Sequence, residues 1–329
     1  MQYRKTISRN KTKRSAKTSH TPTKLPPTLS IAGSSYSGQY HFSCGNDVPV
    51  YEVYTVHALN QMIGHAKFNN QSYGNVYYRG ECKLHSSLKP SLLRGVKNVE
   101  KAMNKASMII QRFIDDSYMQ NELKIKPYEL DASKCKIEGM LQHYGVPTRF
   151  LDVVDNHWIA LWMGQNHVEK SKQFSQYYHY AVRNLPLVEL AKGDEIPDEL
   201  LFQYILLIAV PFPTTRSYTG IQSSSDYIEV DLRQALPSVF LRPHAQHGLV
   251  IRRKVHQPTS NGTDEYDMAS TVIGIIKIRI DRVHEWIGNG ELLSQNNLFP
   301  PPAFDYGYDI LLSRSDLFKE TDFSIAKYA

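Results

Sequence analysis

The sequence predicts an α+β protein in which a helical N-terminal half packs on a largely antiparallel β-sheet. Two observations lead to this prediction. Apolar residues recur at helical spacing within residues 53–165, whereas short β-rich runs separated by turn residues occupy residues 204–280. Helices followed along the chain by strands are typical of the α+β class.

The helical signals of the first half fall in four segments. They are Val53–Lys67, Lys101–Met119, Ser133–Tyr144 and Trp158–Gln165. The third segment stops at Gly145 with Pro147 beyond, which is typical of a helix C-terminus. Asp155 or Asn156 can cap the fourth helix. Between the first two helices, the aromatic-rich run Asn75–Gly80 predicts a short strand.

The β-rich runs of the second half are short and bounded by Gly, Pro, Asn and Ser. They are Tyr204–Val210, Asp226–Asp231, Gly248–Arg253 and Thr271–Ile280. Asn261-Gly262 lies between the last two runs and is a hairpin signal, within a polar loop from Lys254 to Ala269.

Composition excludes several classes of protein. The chain has 329 residues, of which 41% are hydrophobic, so it can bury one large core. No apolar run reaches the roughly 18–20 residues of a membrane helix, and no signal-peptide core is present. Three cysteines are too few for a disulfide framework. We therefore expect a cytoplasmic protein.

The positive charge of the chain is concentrated at its start. Residues 1–30 contain eight Lys and Arg residues and no acid, whereas the net charge of the whole chain is +6, so the remainder sums to −2. A segment rich in Lys, Thr, Ser and Pro cannot bury enough apolar surface to fold. We predict that residues 1–30 are a disordered basic tail. It could contact nucleic acid nonspecifically, or it could be a solvated tail without a partner.

The run Tyr77-Tyr78-Arg79-Gly80 is the first segment that suggests chemistry. An Arg at the end of a strand presents a planar donor fork, and the following Gly allows a close approach of the backbone. This fork suits a phosphate or a carboxylate, which it grips with two parallel hydrogen bonds. The alternative is that Arg79 pairs with a buried Asp such as Asp152, and the local residues favour neither reading.

The second segment, Leu141–Asp152, crowds polar side chains around a helix end and a proline turn. These side chains are Gln142, His143, Tyr144, Thr148, Arg149 and Asp152. His143 could act as a general base or a hydrogen-bond donor, although a lone histidine is more often structural.

The third segment is Arg242-Pro243-His244-Ala245-Gln246-His247-Gly248. The spacing of His244 and His247 could hold zinc on a helix, but the flanking Pro and Gly disfavour a helix, and no third ligand is near. We expect no metal. We predict instead that Arg79, Arg149 and Arg242 converge on one anionic pocket, because each lies where a secondary-structure element meets a turn.

The chain resembles the FRG domain family, which is named for an aromatic-Arg-Gly motif, here Tyr78-Arg79-Gly80. The resemblance continues through Leu88–Arg94, Gln142–Asp152, Trp158–Leu161, Pro243–Leu249, Leu298–Pro300 and Asp305. Tyr78 stands where the family has Phe, and Phe150 where an aliphatic residue is common. The resemblance implies a bacterial or phage intracellular protein, and it covers roughly residues 50–316. We therefore divide the chain into the tail 1–30, which lies outside the resemblance, a connector 31–49, an FRG-type domain 50–316 and a C-terminal tail 317–329.

Three functions remain open. The first is an ADP-ribosyltransferase-like or NAD-hydrolysing enzyme, which holds NAD in the cleft of a split antiparallel sheet. An Arg-Gly pair on a strand would contact the NAD phosphates and Tyr144 would stack on nicotinamide. Such enzymes usually place a Glu where this chain offers Gln246. For this function the predicted residues are His143, Tyr144 and Gln246 for catalysis, and Arg79, Gly80, Gln142, Arg149, Asp152, Arg242 and His244 for binding.

The second function is a non-catalytic module for a nucleotide or nucleic acid, with the arginines as phosphate clamps. The third is a metal-independent hydrolase or nuclease that uses His143 with Asp152. No GxSxG motif, P-loop or Gly-rich dinucleotide fingerprint occurs in the sequence, which argues against the commoner enzyme classes.

Overall fold

A computed structural model of the protein describes residues 21–171, 177–193, 195–214, 218–255, 262–288 and 293–328. Its main feature is a nine-stranded sheet. In spatial order the strands are β1 (Ser34–His41), β2 (Asp47–Val53), β11 (Val272–Arg279), β7 (Phe202–Pro211), β3 (Gly74–Glu81), β4 (Leu151–Val154), β10 (Gly248–Arg253), β9 (Tyr227–Asp231) and β8 (Ile221–Ser223). Neighbouring strands are antiparallel except β2 and β11, which are parallel. The predicted α+β class is confirmed.

A small second sheet contains β12 (Lys327–Tyr328), β6 (Tyr177–Val182) and β5 (Asn166–Lys170). The described residues also form twelve α-helices. These are α1 (Val56–Asn69), α2 (Val99–Asp115), α3 (Ser117–Glu122), α4 (Leu130–His143), α5 (His157–Gln165), α6 (Leu187–Lys192), α7 (Asp198–Leu201), α8 (Leu232–Ala235), α9 (Leu241–Ala245), α10 (Ile280–Ile287), α11 (Gln295–Leu298) and α12 (Tyr306–Ser313).

The four predicted helices all form, and one is divided. The segment Lys101–Met119 becomes α2 and α3 because Asp116 leaves the helical conformation and caps α3, accepting a hydrogen bond from the Met119 N–H at 2.8 Å. The predicted strands of the second half form β7, β9, β10 and β11. The predicted hairpin is wrong, since β10 pairs with β4 and β9 and not with β11. Gly262 is described, whereas Asn261 lies outside the described residues.

One face of the large sheet carries two separate groups of helices. Helices α2, α4 and α12 share one apolar cluster with β8, β9 and β10, whereas α1, α5 and α10 share another with β2, β11, β7 and β3. The opposite face buries a third apolar cluster that includes Tyr77, Leu206 and Ile275. The two helix groups meet above β3 and β4, so a seam in the helical layer lies over this pair of strands.

Strands β3 and β4 are joined weakly. Strand β3 pairs with β7 along its whole length, but with β4 only at Tyr78 and Val154. Beyond that pair the two strands separate, and the sheet is close to split along this line. The seam between the helix groups and the gap between the strands therefore coincide.

Segments at both ends of the predicted domain belong to the folded body. Leu25 is 2% exposed and donates its N–H to the Ile273 carbonyl at 2.9 Å, and the Thr23 N–H donates to the Asn70 side chain at 2.8 Å. The predicted tail is therefore wrong for residues 21–30, and residues 1–20 lie outside the described residues. The connector 31–49 contains β1 and the start of β2. Residues 317–328, predicted as a tail, bury Leu317, Phe318 and Ile325.

Candidate functional site

A cavity of about 580 Å³ occupies the place where β3 and β4 separate. Strand β3 contributes Tyr78–Glu81, β4 contributes Asp152–Val154, α4 contributes its last two residues, and α5 contributes Ala160 and Met163. Residues from the small sheet and from α11 onward close the far side. The cavity thus follows from the fold, because neither strand pairing nor helix packing fills this line.

Arg79 lies at the edge of the gap and is 18% exposed. Its Nε donates to Glu81 Oε1 at 2.6 Å and its Nη1 donates to the Asp152 main-chain oxygen at 2.8 Å. Within the described residues its Nη2 has no hydrogen-bond partner. Burial alone would lower the pKa of Arg79, but the charges of Glu81 and Asp152 raise it above its ordinary value. Arg79 is therefore a cation held in place by two hydrogen bonds, and its Nη2 makes no hydrogen bond to Glu81 or to Asp152.

A second guanidinium, that of Arg94, lines the same cavity. Its Nε donates to the Lys89 main-chain oxygen at 2.8 Å, and it forms no ion pair with a carboxylate of the described residues. Burial, together with the positive charge of Arg79, lowers the pKa of Arg94. The charges of Glu81 and Asp152 offset part of this repulsion. Because Arg94 has no ion pair of its own among the described residues, its guanidinium is available to bind an anion.

Among the described residues, Asp152 is one of the two carboxylates that line the cavity, with Glu81, and is 36% exposed. Its Oδ2 accepts a hydrogen bond from Gln142 Nε2 at 2.6 Å, while its Oδ1 is buried without a hydrogen-bond partner. Gln142 is held in turn by Thr148 Oγ1 and Ser91 Oγ, which donate to its Oε1 at 2.7 and 3.1 Å. The sequence-predicted polar cluster of this segment thus orients one carboxylate.

His143 is buried beside Asp152, with its Nδ1 3.8 Å from Asp152 Oδ1. Burial lowers the pKa of His143 to about 4, so the ring is neutral at pH 7. Its Nε2 has no partner and faces Gly248, where an added Cβ would lie 1.8 Å away. This close packing leaves the Nε2 no room for a substrate group. The role of general base predicted for His143 therefore has little geometric support.

Gly80 serves the packing of β3 on α5. A Cβ at this position would lie 1.8 Å from the Ala160 main-chain oxygen. Gly80 lines the cavity, but the contact that excludes a side chain comes from the helix. From the sequence we expected Gly80 to allow the close approach of a ligand. In the structure it allows the close approach of α5.

Three aromatic rings form the apolar wall of the cavity: Tyr180, Phe299 and Tyr328. The rings of Tyr180 and Tyr328 are stacked at 5.8 Å with an interplanar angle of 13°, and the Phe299 ring lies 4.4 Å from that of Tyr180. They come from three distant parts of the chain. Such a wall suits a planar, unsaturated ring.

The predicted convergence of three arginines is not found, since Arg149 and Arg242 do not line the cavity. Arg149 forms a bidentate pair with the buried Glu138, with Nε–Oε1 and Nη2–Oε2 distances of 2.7 and 2.6 Å. Arg242 is fully buried, and its Nη1 donates to the His143 main-chain oxygen at 3.2 Å.

Aromatic rings surround the Arg242 guanidinium. Its Cζ lies 4.5 Å from the ring centre of Tyr144, 4.6 Å from that of Tyr308 and 4.7 Å from that of Tyr328. The hydroxyl of Tyr144 donates to Asp305 Oδ2 at 2.7 Å, and its ring is fully buried. Tyr144 is therefore committed to this aromatic box and is not positioned to stack on a ligand in the cavity.

The remaining predicted residues divide between the cavity and its surroundings. Gln246 lines the cavity, but its Nε2 is used by the Leu298 main-chain oxygen at 2.7 Å. His244 does not line it. A short helix, α9, does form around these residues despite Pro243. Among the described residues no group of three or more His, Cys, Asp or Glu side chains could hold a metal ion.

Several residues that line the cavity were not predicted as site residues from the sequence, among them Glu81, Arg94, Tyr180, Phe299 and Tyr328. Glu81 and Arg94 had a usable signal, because one follows Arg79-Gly80 directly and the other ends a segment of the FRG resemblance. The three aromatic residues carried no local signal. Only the tertiary fold brings them together.

Comparison with known proteins identifies one family. Residues 74–173 match the model of the FRG domain, so the FRG resemblance is confirmed over that part of the chain. The match contains Arg79, Arg94, Gln142 and Asp152, and it ends before the aromatic residues Tyr180, Phe299 and Tyr328. No curated protein and no solved structure matches the chain. Of the helices in the described residues, none has the length and apolar character that crossing a membrane requires.

Proposed function

We propose that the cavity between β3 and β4 binds a small anionic, nucleotide-like ligand, and that NAD is the first ligand to test. The observation that supports this most is the pair of guanidinium groups, Arg79 and Arg94, on one cavity without a carboxylate bound to Arg94. Guanidinium groups recognise phosphate through parallel hydrogen bonds. A phosphate between them would relieve their mutual repulsion.

The rest of the cavity supports a nucleotide over a simple anion. Its volume of about 580 Å³ lies within the range of roughly 300–1,000 Å³ typical of small-molecule sites. The aromatic wall of Tyr180, Phe299 and Tyr328 offers apolar surface for a base or a nicotinamide ring. Inorganic phosphate would use none of this wall.

A second candidate function, cleavage of the bound NAD, is favoured by Asp152. This carboxylate lines the cavity and is 36% exposed, so it can contact a bound ligand or a water. In the proposed step, the bond from ribose C1′ to the nicotinamide nitrogen breaks and its electron pair leaves with neutral nicotinamide. Water then bonds to C1′ and gives its proton to the carboxylate. The negative charge of Asp152 would stabilise the oxocarbenium-like transition state.

The nucleic-acid alternative draws less support from the described residues. Outside residues 1–30 the chain sums to −2, so the body lacks the basic excess that an extended nucleic-acid surface needs. A small ligand in the cavity avoids this difficulty. We keep the cytoplasm as the proposed compartment, since Cys44, Cys82 and Cys135 are all free thiols.

Titration with NAD tests the binding proposal. We expect Arg79→Lys to weaken binding about 10- to 100-fold, because Lys keeps the charge and loses the fork, and Arg94→Ala to weaken it at least about 10-fold. Arg279→Ala is the matched control: this Arg is exposed and lies outside the cavity, so affinity should stay within about twofold. Equal affinities in all four proteins would overturn the proposal.

Nicotinamide release, followed by mass spectrometry, tests the second candidate separately. We expect Asp152→Asn to slow release by about 100-fold or more with NAD affinity little changed. A parent protein that binds NAD and releases no nicotinamide would support a binding module and remove the enzyme.

A further inference from the structure

A second cavity, of about 460 Å³, adjoins the first one. The two cavities share Glu81, His85 and Arg94 as lining residues. We call the first cavity the inner lobe and the second the outer lobe. Since these three side chains border both, the lobes meet near the end of β3, and we call the two lobes together the groove.

Arg94 stands at the junction of the two lobes. The hydrogen bond from its Nε to the Lys89 main-chain oxygen fixes the side chain there at 2.8 Å. Lys89 itself lines the outer lobe and holds Asp264 Oδ1 at 2.7 Å and Thr263 Oγ1 at 2.8 Å with its Nζ. The guanidinium of Arg94 is therefore the cation at the junction of the lobes, whereas the charge of Lys89 is paired with Asp264.

The two lobes differ in chemistry. The inner lobe has the aromatic wall of Tyr180, Phe299 and Tyr328. The outer lobe has no tyrosine, phenylalanine or tryptophan among its lining residues and presents the hydroxyl-bearing Ser86, Ser87 and Thr263. One lobe thus suits the face of an unsaturated ring, and the other suits hydrogen bonds to hydroxyl and amide groups.

We infer that the groove takes a dinucleotide, with one base against the aromatic wall, the diphosphate at Arg79 and Arg94, and the second nucleoside in the outer lobe. This inference rests on the proposed function of the inner lobe and goes beyond it by fixing the size and the two-part character of the ligand. A mononucleotide would place its ring and phosphate in the inner lobe and leave the outer lobe unused. Along the groove, the aromatic wall comes first, the arginines second and the polar outer lobe third. In a dinucleotide, the first base, the diphosphate and the second nucleoside follow in the same order.

Blocking the outer lobe separates the two kinds of ligand. Ser87 lines only this lobe, so Ser87→Trp should fill it without reaching the inner lobe. Calorimetric titration of the full chain should show NAD binding at least about 10-fold tighter than nicotinamide mononucleotide, and Ser87→Trp should remove most of that advantage. The affinity for the mononucleotide should change by less than about twofold. Ser315→Trp, at an exposed serine outside both lobes, is the matched control and should behave like the parent.

The outcomes distinguish the inference from the function on which it rests. If the parent binds both ligands equally and Ser87→Trp affects neither, the outer lobe is no part of the site and the inference is wrong, while the nucleotide site of the inner lobe stands. If the parent binds neither ligand, the proposed function fails and the inference fails with it. Ser86→Trp fills the same lobe from an exposed position and serves in place of Ser87→Trp if that variant does not fold.

Discussion

Three charged residues of this protein, Glu138, Arg242 and Asp152, have different surroundings. Glu138 is 1% exposed and is neutralised by a bidentate arginine. Arg242 is buried among aromatic rings, with its Nε and Nη2 lacking hydrogen-bond partners. Asp152, in contrast, is 36% exposed and lines a cavity. The first two arrangements serve the fold, and only the third leaves a charged group available to a ligand.

Removal of Arg149 should destabilise the protein strongly. Arg149→Ala leaves Glu138 as a buried charge without a partner, and we expect the free energy of unfolding to fall by about 3–5 kcal/mol. Urea unfolding measures this. The exposed pair of Arg279 and Asp281 gives the control, because Arg279→Ala should change the free energy of unfolding by less than about 1 kcal/mol. A similarly small effect of Arg149→Ala would mean that Glu138 is protonated or solvated in the folded protein.

His143 should make stability depend on pH. Burial, opposed by the charge of Asp152, lowers its pKa from 6.5 to about 4 in the folded protein. Between these values the unfolded chain binds a proton that the folded chain does not, so stability falls as the pH falls from 6.5 toward 4. Each pH unit in this window is worth about 1.4 kcal/mol.

Comparison with His143→Gln isolates this effect, since other titrating groups cancel when both proteins are unfolded at the same pH. The stability of the parent relative to the variant should drop by about 2 kcal/mol between pH 7.5 and pH 5. A difference that stays constant with pH would show that His143 is not buried in its neutral form.

Residue types and spacing predicted some residues that line the cavity and others that do not line it. The donor fork on a strand predicted Arg79, and the polar cluster at the end of α4 predicted Gln142 and Asp152; all three line the cavity. Sequence could not distinguish Arg79 from Arg149 and Arg242, because what separates them is their partner. Glu138 lies about one helix turn before Gln142, and the rings around Arg242 are spread from Tyr144 to Tyr328.

At the scale of elements, the packing of β3 against α5 shapes the site. Gly80 permits this contact, and Gly64, on the exposed side of α1, offers a matched comparison. Nothing lies within 4 Å of a Cβ added at Gly64. We expect Gly80→Ala to lower the free energy of unfolding by about 1–3 kcal/mol or more through overpacking, and Gly64→Ala to raise it by up to about 1 kcal/mol. Thermal unfolding of both variants measures the contrast, and equal effects would show that β3 and α5 pack less closely than described.

The elements that the sequence predicts well are those with a buried, periodic face. Helix α2 shows this, since its apolar positions recur at helical spacing and become its buried residues. Strand β1 was missed because it is an edge strand of Ser, Gly and Gln with mostly exposed side chains. The hydrogen bonds of β1 to β2 hold it as a strand, which its own composition does not predict.

At the scale of the whole molecule, the chain segments before β1 and after α12 complete the folded body. Leu25 packs among the residues of the α1 and α5 cluster, and Gly274 lies beneath its side chain. We expect Leu25→Ala to lower the free energy of unfolding by about 2–5 kcal/mol. Leu187, 69% exposed, is the control, and Leu187→Ala should change the free energy by no more than about 0.5 kcal/mol. If the two variants were equally stable, Leu25 would not pack against the body, and residues 21–30 would be a solvated tail.

The parallel pairing of β2 with β11 bears on how the chain reaches its folded state. Val50 is paired with Ile275, and Tyr78 with Leu207, so the central strands of the sheet are joined by contacts between residues far apart in sequence. Loops of this length must close before such contacts give any stability, and topologies of this kind fold slowly. During synthesis, β2 and β3 leave the ribosome long before β7 and β11 exist, and their hydrogen-bonding edges stay open in the meantime. Nascent chains of this protein are therefore expected to depend on chaperones until the ribosome has passed β11.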